Sequence, residues 1–402
     1  MKELYYHLLG LQDPWNVREV KFDVNTQQVD IWVEYGSQDC ICPECKLLCP
    51  VYDYVPERSW RHLDSCGYKT YVHAKIPRGK CDKDGILQTS IPWAQGHSRF
   101  TLMFQALAIH LLKQCTVSGA TKILRISWDQ AWLIMKQAVD RGLARKQQEN
   151  IQYLGVDEKS AKKGHNYFTL VYNLEKGTVE YISDDRKTDS LQAYFDSISE
   201  EKKSFIKAVA MDMWDPYIKA TADSIGSDKI VIDRFHVMKH MNKAVDDVRK
   251  QESKELQAQG NNDLKGSKYL WLRGEENIPD HRREDFETLK NKTFKVAKAW
   301  AIKEMLRELW GSANLKSAIH YFLKWFEWAR TSGLKPVRKA ADTVANHIDH
   351  ILTYFKHRIT NAASEGINSK IQKVKAMACG YRNKDNFKTA IYFHCGGLNL
   401  SP

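Results

Sequence analysis

The chain has 402 residues, 43% hydrophobic and 27% charged, which excludes a disordered protein and leaves room for several domains. Lys and Arg total 61 against 49 Asp and Glu, a formal net charge of +12 that favours a nucleic acid or another anionic surface as partner. The longest apolar run, FQALAIHLL, is too short to span a membrane, and the N-terminus MKELYYHLLGLQDPW lacks a signal-peptide pattern, so a cytoplasmic protein with no membrane partner is expected. In that compartment the nine Cys read as metal ligands or core thiols rather than as disulfides.

Residues 1–35 alternate apolar and polar side chains (VREVKFDVNTQQVDIWVEY), which predicts a strand pair. Residues 36–95 hold most of the Cys, with Pro and Gly, and lack helical periodicity. In CICPECKLLCP, Cys42 and Cys45 have the spacing at which a tight knuckle aims two thiolates at one zinc ion. Cys81 in RGKCDKDGI supplies a third ligand, and the fourth comes from Asp84, Cys49, Cys66, Cys40 or His62. A structural Zn²⁺ on Cys42, Cys45, Cys81 and Asp84 is the expectation, against the alternative of free thiols in a reducing cytosol.

Residues 98–148 are helical in pattern throughout. VSGATKIL forms a short helix, Arg125 to Ser127 a turn, and Ser127 caps the helix WDQAWLIMKQAVDRG. In a basic chain this reads as a helix-turn-helix with the last helix as the recognition helix, and an ordinary three-helix unit is the alternative.

Residues 151–235 return to strands alternating with helices. Asp157 follows the apolar run IQYLGV, a hairpin turns at Glu175 to Gly177, and Asp212 ends the apolar run in FIKAVAMDM. Acids at the ends of buried strands are costly unless cations compensate them, and two Mg²⁺ ions (or Mn²⁺) held by carboxylates would both lift that cost and drive phosphodiester chemistry. This pattern predicts a ribonuclease-H-like core. Its third acid comes from a later helix, TNAASEGINSKIQKVK, where Glu365 is a lone acid in a basic stretch. Helix-dipole complementarity is the bland account of Glu365, and Asn361 is placed to cap that helix. The Trp-rich helical residues 237–358 would then be an insertion between the second and third acids.

Among other acids, Glu158 faces the opposite side of its strand, and Asp215 replaces Asp212 only if the strand ends later. Arg234 and His236 in VIDRFH are candidate DNA contacts, with Asp233 pairing structurally to either as the alternative. Trp271, in the irregular KYLWLRGEE, is the choice for stacking on an unpaired base, whereas most Trp of the insertion are read as core. Lys370, Lys373 and Lys375 after Glu365 are candidates to follow the DNA backbone.

GVDE, YFTLVYN, AVAMDMWDPYIKA, IVIDRFHVMKHMNKAVDDVRK and TNAASEGINSKIQKVKAMACGYRN, with CPEC, WRHLD, IPWA and SRFT upstream, resemble bacterial insertion-sequence transposases of the ISL3 group over nearly the whole chain. The resemblance implies a DDE transposase with the triad on Asp157, Asp212 and Glu365. It also implies double-stranded DNA (transposon ends and target) as partner, a homodimer or higher assembly on DNA, and a bacterial, nucleoid-associated location. Where relatives complete the second zinc pair with His or Cys, this chain reads CDKD and offers Asp84. The expected multidomain α/β organisation is residues 1–95 as a β/zinc-binding domain, 96–148 as the helix-turn-helix and 149–238 as the first part of the core. Residues 239–355 are the all-α insertion, and 356–402 complete the core. The expected activity is binding of terminal inverted repeats, cleavage at the transposon end and joining to target DNA. A non-catalytic DNA-binding regulator and a host nuclease with the same core are the rival readings.

Overall fold

Strands with one buried face dominate the first hundred residues because apolar side chains recur at alternate positions, as in Gln28–Tyr35, where Val29, Ile31 and Val33 point inward. The computed structural model describes all residues except 97, 147–148, 163–165 and 293, and divides into two compact units, Met1–Lys146 with Leu398–Pro402, and Gln147–Gly397. No helix among the described residues is long and apolar enough to cross a membrane.

The first unit opens with α1 (Lys2–Leu8), which the strand reading of residues 1–35 omits. The helix is stabilised by tertiary packing: its Tyr5 joins a core built on Trp15, Trp60 and Trp93. One sheet has the order β1-β2-β6-β5, from β1 (Trp15–Asp23), β2 (Gln28–Tyr35), β5 (Arg58–Ser65) and β6 (Tyr68–Ala74). A second has the order β3-β4-β7-β8, from β3 (Asp39–Ile41), β4 (Leu48–Tyr54), β7 (Pro77–Cys81) and β8 (Gly85–Gln88). Then come α2 (Leu102–Gln114), α3 (Val117–Leu124) and α4 (Trp128–Arg145), whose first turns are capped by the hydroxyls of Thr101, Thr116 and Ser127. The last five residues, grouped by the sequence with residues 356–402, belong instead to this unit. Arg145 donates to the Ser401 carbonyl at 2.6 Å and Arg141 to that of Leu400 at 3.4 Å, while Leu398 packs where Gly142 has no Cβ.

The second unit is built on one sheet, ordered β11-β10-β9-β12-β13. An antiparallel meander, β9 (Tyr153–Lys162), β10 (Asn166–Asn173) and β11 (Thr178–Asp184), is extended on the β9 side by β12 (Ala208–Met211) and β13 (Ile230–Ile232) in parallel. The short strands AVAM and IVI are buried at every position, as parallel strands covered on both faces must be. One face packs α5 (Thr188–Asp196) and α7 (Asp215–Ile225) near Leu154, Val156 and Met211, while α6 (Glu200–Phe205), exposed or half-buried along its length, leads into β12. The other face packs α16 (Ala362–Met377) and α17 (Lys384–Cys395) through Ile367, Ile371, Phe387 and Ile391 onto Phe168, Leu170 and Tyr172. Each such buried side chain contributes roughly 1.5–3 kcal/mol.

Between β13 and α16 the chain is helical. It comprises α8 (Arg234–Ala258), α9 (Lys268–Leu272), α10 (Asp280–Asn291), α11 (Lys295–Glu308), α12 (Leu315–Thr331), α13 (Lys335–Asn346), α14 (Ile348–Leu352) and α15 (Tyr354–His357). Glu252 on α8 accepts the backbone N–H groups of Lys295 and Val296 at 2.7 and 2.8 Å, so the start of α11 is satisfied from a neighbouring helix.

Candidate metal centre and active site

In the first unit, Cys42 and Cys45 lie in the turn between β3 and β4, closed by the Cys42 N–H on the Leu47 carbonyl at 2.9 Å and by Lys46 in a left-handed conformation. Cys81 ends β7 and Asp84 lies in the turn to β8, where Gly85 takes a φ of 76°. The four donor atoms gather within 4.8 Å of one another. Cys45 and Cys81 Sγ are 3.4 Å apart, and the Cys42 thiol donates to Asp84 Oδ2 at 3.2 Å. Hydrogen bonds from the Cys45 and Cys42 thiols hold the Asp84 carboxyl below its usual range. The other candidate fourth ligands lie elsewhere. Cys40 and Cys49 pair across β3 and β4 with both sulfurs over Gly79, Cys66 is exposed in a turn, and His62 is buried against Thr101 Oγ1 at 3.0 Å. Burial, and the neighbouring Arg61 charge, push the His62 pKa down to about 4.

The helix-turn-helix pattern falls where the sequence puts it. Arg125, left-handed at φ 55°, makes the turn between α3 and α4, and its guanidinium bonds Asp64 and the Gly67 carbonyl at the β5–β6 turn. On α4 the Trp128 and Trp132 rings stack with centroids 5.2 Å apart, and Trp128 is exposed.

In the second unit the register brings two of the candidate acids together. β12 pairs with β9 up to Ala210 opposite Gly155, so two residues further along each parallel strand Asp212 stands beside Asp157. Asp233 follows β13 at the same end. Alternation turns Gly155 and Asp157 toward α16, while Glu158 faces the other way and pairs with Arg186 at 3.0 Å. Asp215 starts α7 and is exposed.

Burial raises the pKa of Asp157, offset by the Glu158 N–H, the His236 charge and the Asn368 amide. Burial pushes Asp212 up to about 6, opposed by His236 and reinforced by the charges of Asp157 and Glu158. Asp157 Oδ1 accepts from the Glu158 N–H at 2.7 Å and Oδ2 from Asn368 Nδ2 at 2.6 Å. Asp212 Oδ1 is buried without a hydrogen-bond donor among the described residues, a costly state for an ionised oxygen.

Glu365 lies exposed in the first turn of α16. That helix follows β9: Asn361 and Ser364 lie over Gly155, and Asn368 reaches Asp157. The helical period places Glu365 on the same side, between those contacts. Among the described residues, only the Cys42, Cys45, Cys81 and Asp84 set gathers three or more such donors this tightly; the three candidate acids do not. Asn361 occupies the N-cap position but makes no side-chain cap; its backbone N–H donates to Asp233 Oδ2 at 3.0 Å instead. Asp233 also caps α8 through the Phe235 N–H at 2.8 Å, so it ties the starts of α8 and α16 together.

Of the candidate DNA contacts, Arg234 is exposed over the Trp310 ring at 5.3 Å, and His236 is half-buried with its charge felt by both Asp157 and Asp212. Lys370 and Lys373 are exposed, whereas Lys375 donates to the Ser160 carbonyl at 3.0 Å. Trp271 is not available for stacking on a base. It is fully buried, with Nε1 donating to Ser267 Oγ at 3.1 Å and its ring edge-on to Phe286, because KYLWL forms the short α9 instead of a surface loop. Sequence reasoning missed Gly155, Asn368 and Tyr172. A Cβ on Gly155 would collide with Ser364 Oγ and stand 2.8 Å from Asn361 Oδ1. The signal was present in the Gly of GVDE and the Asn of SEGINSKI.

Three family models match this chain. One described as "Transposase", of the ISL3 DDE type, covers residues 154–391. The "Helix-turn-helix domain of transposase family ISL3" covers 89–139, and the "zinc-finger of transposase IS204/IS1001/IS1096/IS1165" covers 38–84. The chain is 24% identical over 363 residues to the transposase for insertion sequence element IS1001 of Bordetella parapertussis, over 89% of each chain. It is 21% identical over 356 residues to the transposase for insertion sequence element IS1557 of Mycobacterium tuberculosis, over 81% of this chain and 79% of the relative. The helix-turn-helix and transposase domains indicate DNA binding. With one family model spanning more than half of its length and two more matching the segments before it, the chain belongs to the ISL3 family of insertion-sequence transposases.

Proposed function

We propose that this transposase binds the terminal inverted repeats of its element, cuts the phosphodiester at the transposon end and joins the freed 3′-hydroxyl to target DNA, with Asp157, Asp212 and Glu365 holding two Mg²⁺ or Mn²⁺ ions. The observation that carries the reading is Asp212. Its carboxylate stands beside Asp157 with a buried oxygen that no group among the described residues satisfies. Two acids so placed repel each other, and the Asp157 charge adds to the burial that raises the Asp212 pKa, a cost that a shared divalent cation removes. The oxygen-only donor set suits a hard cation such as Mg²⁺. The strand order β11-β10-β9-β12-β13, with the acids on the central β9 and the adjacent β12, supports a ribonuclease-H-like core.

Asp157, oriented by two N–H donors, and Asp212, with its bare oxygen, would hold the cations between them. Glu365 would complete the set from α16. Metal held by these residues would supply a lowered pKa for the attacking water and charge neutralisation at the leaving oxygen. The water oxygen attacks phosphorus, the bond from phosphorus to the 3′-oxygen breaks, and that oxygen takes up a proton. In the second step the 3′-hydroxyl attacks a target phosphodiester and loses its proton as the target's own 3′-oxygen leaves. Arg234, His236, Lys370, Lys373 and Lys375 would follow the DNA near these acids. The helix-turn-helix, braced by the zinc-binding segment that Cys42, Cys45, Cys81 and Asp84 stabilise, would read the repeats. A homodimer or larger assembly would hold two ends.

The test uses oligonucleotide ends and Mg²⁺ with Asp157→Asn, Asp212→Asn and Glu365→Gln. End cleavage and strand transfer are expected to fall at least 10³-fold, with binding of end DNA retained within a few-fold. Normal rates in any one variant would remove that residue from the triad, and cleavage without joining in the native protein would make it a plain nuclease.

A further inference from the structure

We propose that Asn368 is a positioning residue that fixes the Asp157 carboxylate and fastens it to the helix carrying Glu365, with Tyr172 as the group that aims the Asn368 amide. The proposal rests on the reading of Asp157 as a cation ligand and names residues which that reading does not include.

Tyr172 on β10 is fully buried, and burial keeps its hydroxyl protonated. That O–H donates to Asn368 Oδ1 at 3.0 Å. With its oxygen so occupied, the amide has one orientation, and Nδ2 must face Asp157 Oδ2, which it meets at 2.6 Å. The reverse orientation would set an amide oxygen against a carboxylate. The Glu158 N–H holds Oδ1 at 2.7 Å, so each carboxylate oxygen has one donor and keeps a free lone pair.

The chemistry of the donor matters as much as its place. A Lys or Arg at this point would neutralise Asp157 and compete with a cation, whereas a neutral amide orients the carboxylate and leaves its charge. Lys159, the nearest cation on the same strand, donates to the Asn368 backbone carbonyl at 3.3 Å and not to Asp157. Asn368 lies three residues after Glu365 on α16, on the same side of the helix. The bond to Asp157 therefore orients the first acid and links it directly to the helix bearing the third, which the packing of Ile367 and Ile371 already seats on the sheet. Asp212, which lacks such a donor, is the acid left for the cation to organise.

The experiment measures Mn²⁺ affinity of the full chain by calorimetry, the metal half-saturation of end cleavage, and affinity for end DNA. It compares the native protein, Asn368→Leu, Tyr172→Phe and Asp157→Asn. For Asn368→Leu, Mn²⁺ affinity is expected to fall 10–100-fold and the half-saturation to rise in step, with DNA affinity unchanged. Tyr172→Phe, which removes one oxygen and leaves the packing, is expected to move both in the same direction by a few-fold. If both variants keep Mn²⁺ affinity and half-saturation within two-fold of native, Asn368 is structural only and the proposal is wrong, whatever happens to stability. If Asp157→Asn still cleaves DNA, the triad fails instead; the Asn368 proposal then stands or falls on the Mn²⁺ affinities alone.

Discussion

The two candidate metal sites differ in how far the chain brings their ligands together by itself. Cys42, Cys45, Cys81 and Asp84 converge within 4.8 Å, because two tight turns present them and the thiols, while protonated, hydrogen-bond to one another and to the carboxylate. Asp157, Asp212 and Glu365 come from β9, the end of β12 and α16, and do not converge so closely. Ionised carboxylates in a partly buried site repel. The first arrangement suits an ion that is part of the fold. The second suits ions that arrive with the work, since a pocket that closed fully without them would have to bury uncompensated charge.

The sharpest way to break that contrast is to take both metals away. Stripping zinc with a strong chelator, or making Cys42→Ser, is expected to unfold the segment made of β3, β4, β7 and β8, while β5 and β6 stay paired in the other sheet, since binding free energies of about 10 kcal/mol are typical of structural zinc. Protease sensitivity confined to that segment reads it out. Withdrawing Mg²⁺ is expected to leave the far-UV circular dichroism unchanged. Asp84→Cys sharpens the comparison by giving zinc a fourth thiolate, and its release to the chelator is expected to slow at least ten-fold. Native-like protease resistance after complete zinc removal would place both sites in the same class.

A smaller effect tests the carboxylate side without touching an acid. Gly155→Ala inserts a Cβ into Ser364 and Asn361 at the start of α16. Overpacking of this kind costs about 1–3 kcal/mol, read as a lower urea midpoint. Cleavage is expected to fall more steeply, because the displaced helix carries both Glu365 and Asn368. A variant that loses stability but cleaves normally would mean that the seat of α16 on β9 does not set the site.

These residues also mark what a sequence discloses. Ligand spacing within one turn is local, so Cys42 and Cys45 were readable. Asp157 and Asp212 were readable because each ends a run of apolar residues that only a buried strand explains. That they stand on adjacent strands follows from the ribonuclease-H-like pattern, whereas the residue-by-residue register depends on pairing between segments far apart in the chain and did not show. Neither did Asn368, whose polar side chain on a basic helix looks like surface until Tyr172 and Asp157 are known to lie beneath it. Trp271 failed for the opposite reason. Gly and charge around KYLWL resemble a loop, and only the packing of Phe286 and the Ser267 hydroxyl reveals a buried ring. Helix α1, too short to be stable alone, likewise owes its existence to the Trp core it covers.

The smallest expected effect is on stability alone, and it carries a sign that the zinc site cannot share. Asp212 has its pKa raised from an ordinary 3.8 to about 6 by burial, so the fold penalises its charged form. Below about pH 4 the carboxyl is protonated in folded and unfolded chains alike and the penalty is absent. It grows as pH rises through the window up to about 6 and is constant above it. Asp212→Asn carries no charge at any pH. In metal-free buffer it is therefore expected to be more stable than the native protein by roughly 1–3 kcal/mol at pH 7.5, with the difference shrinking to nothing near pH 4. Saturating Mg²⁺ should reverse the order, because the cation binds only the native carboxylate and stabilises only that fold. Thermal melts of both proteins at the two pH values, with and without Mg²⁺, give four comparisons. A native protein more stable than the variant in metal-free buffer at pH 7.5 would mean that Asp212 already has a partner in the fold, and that its bare oxygen is not what draws the cation in.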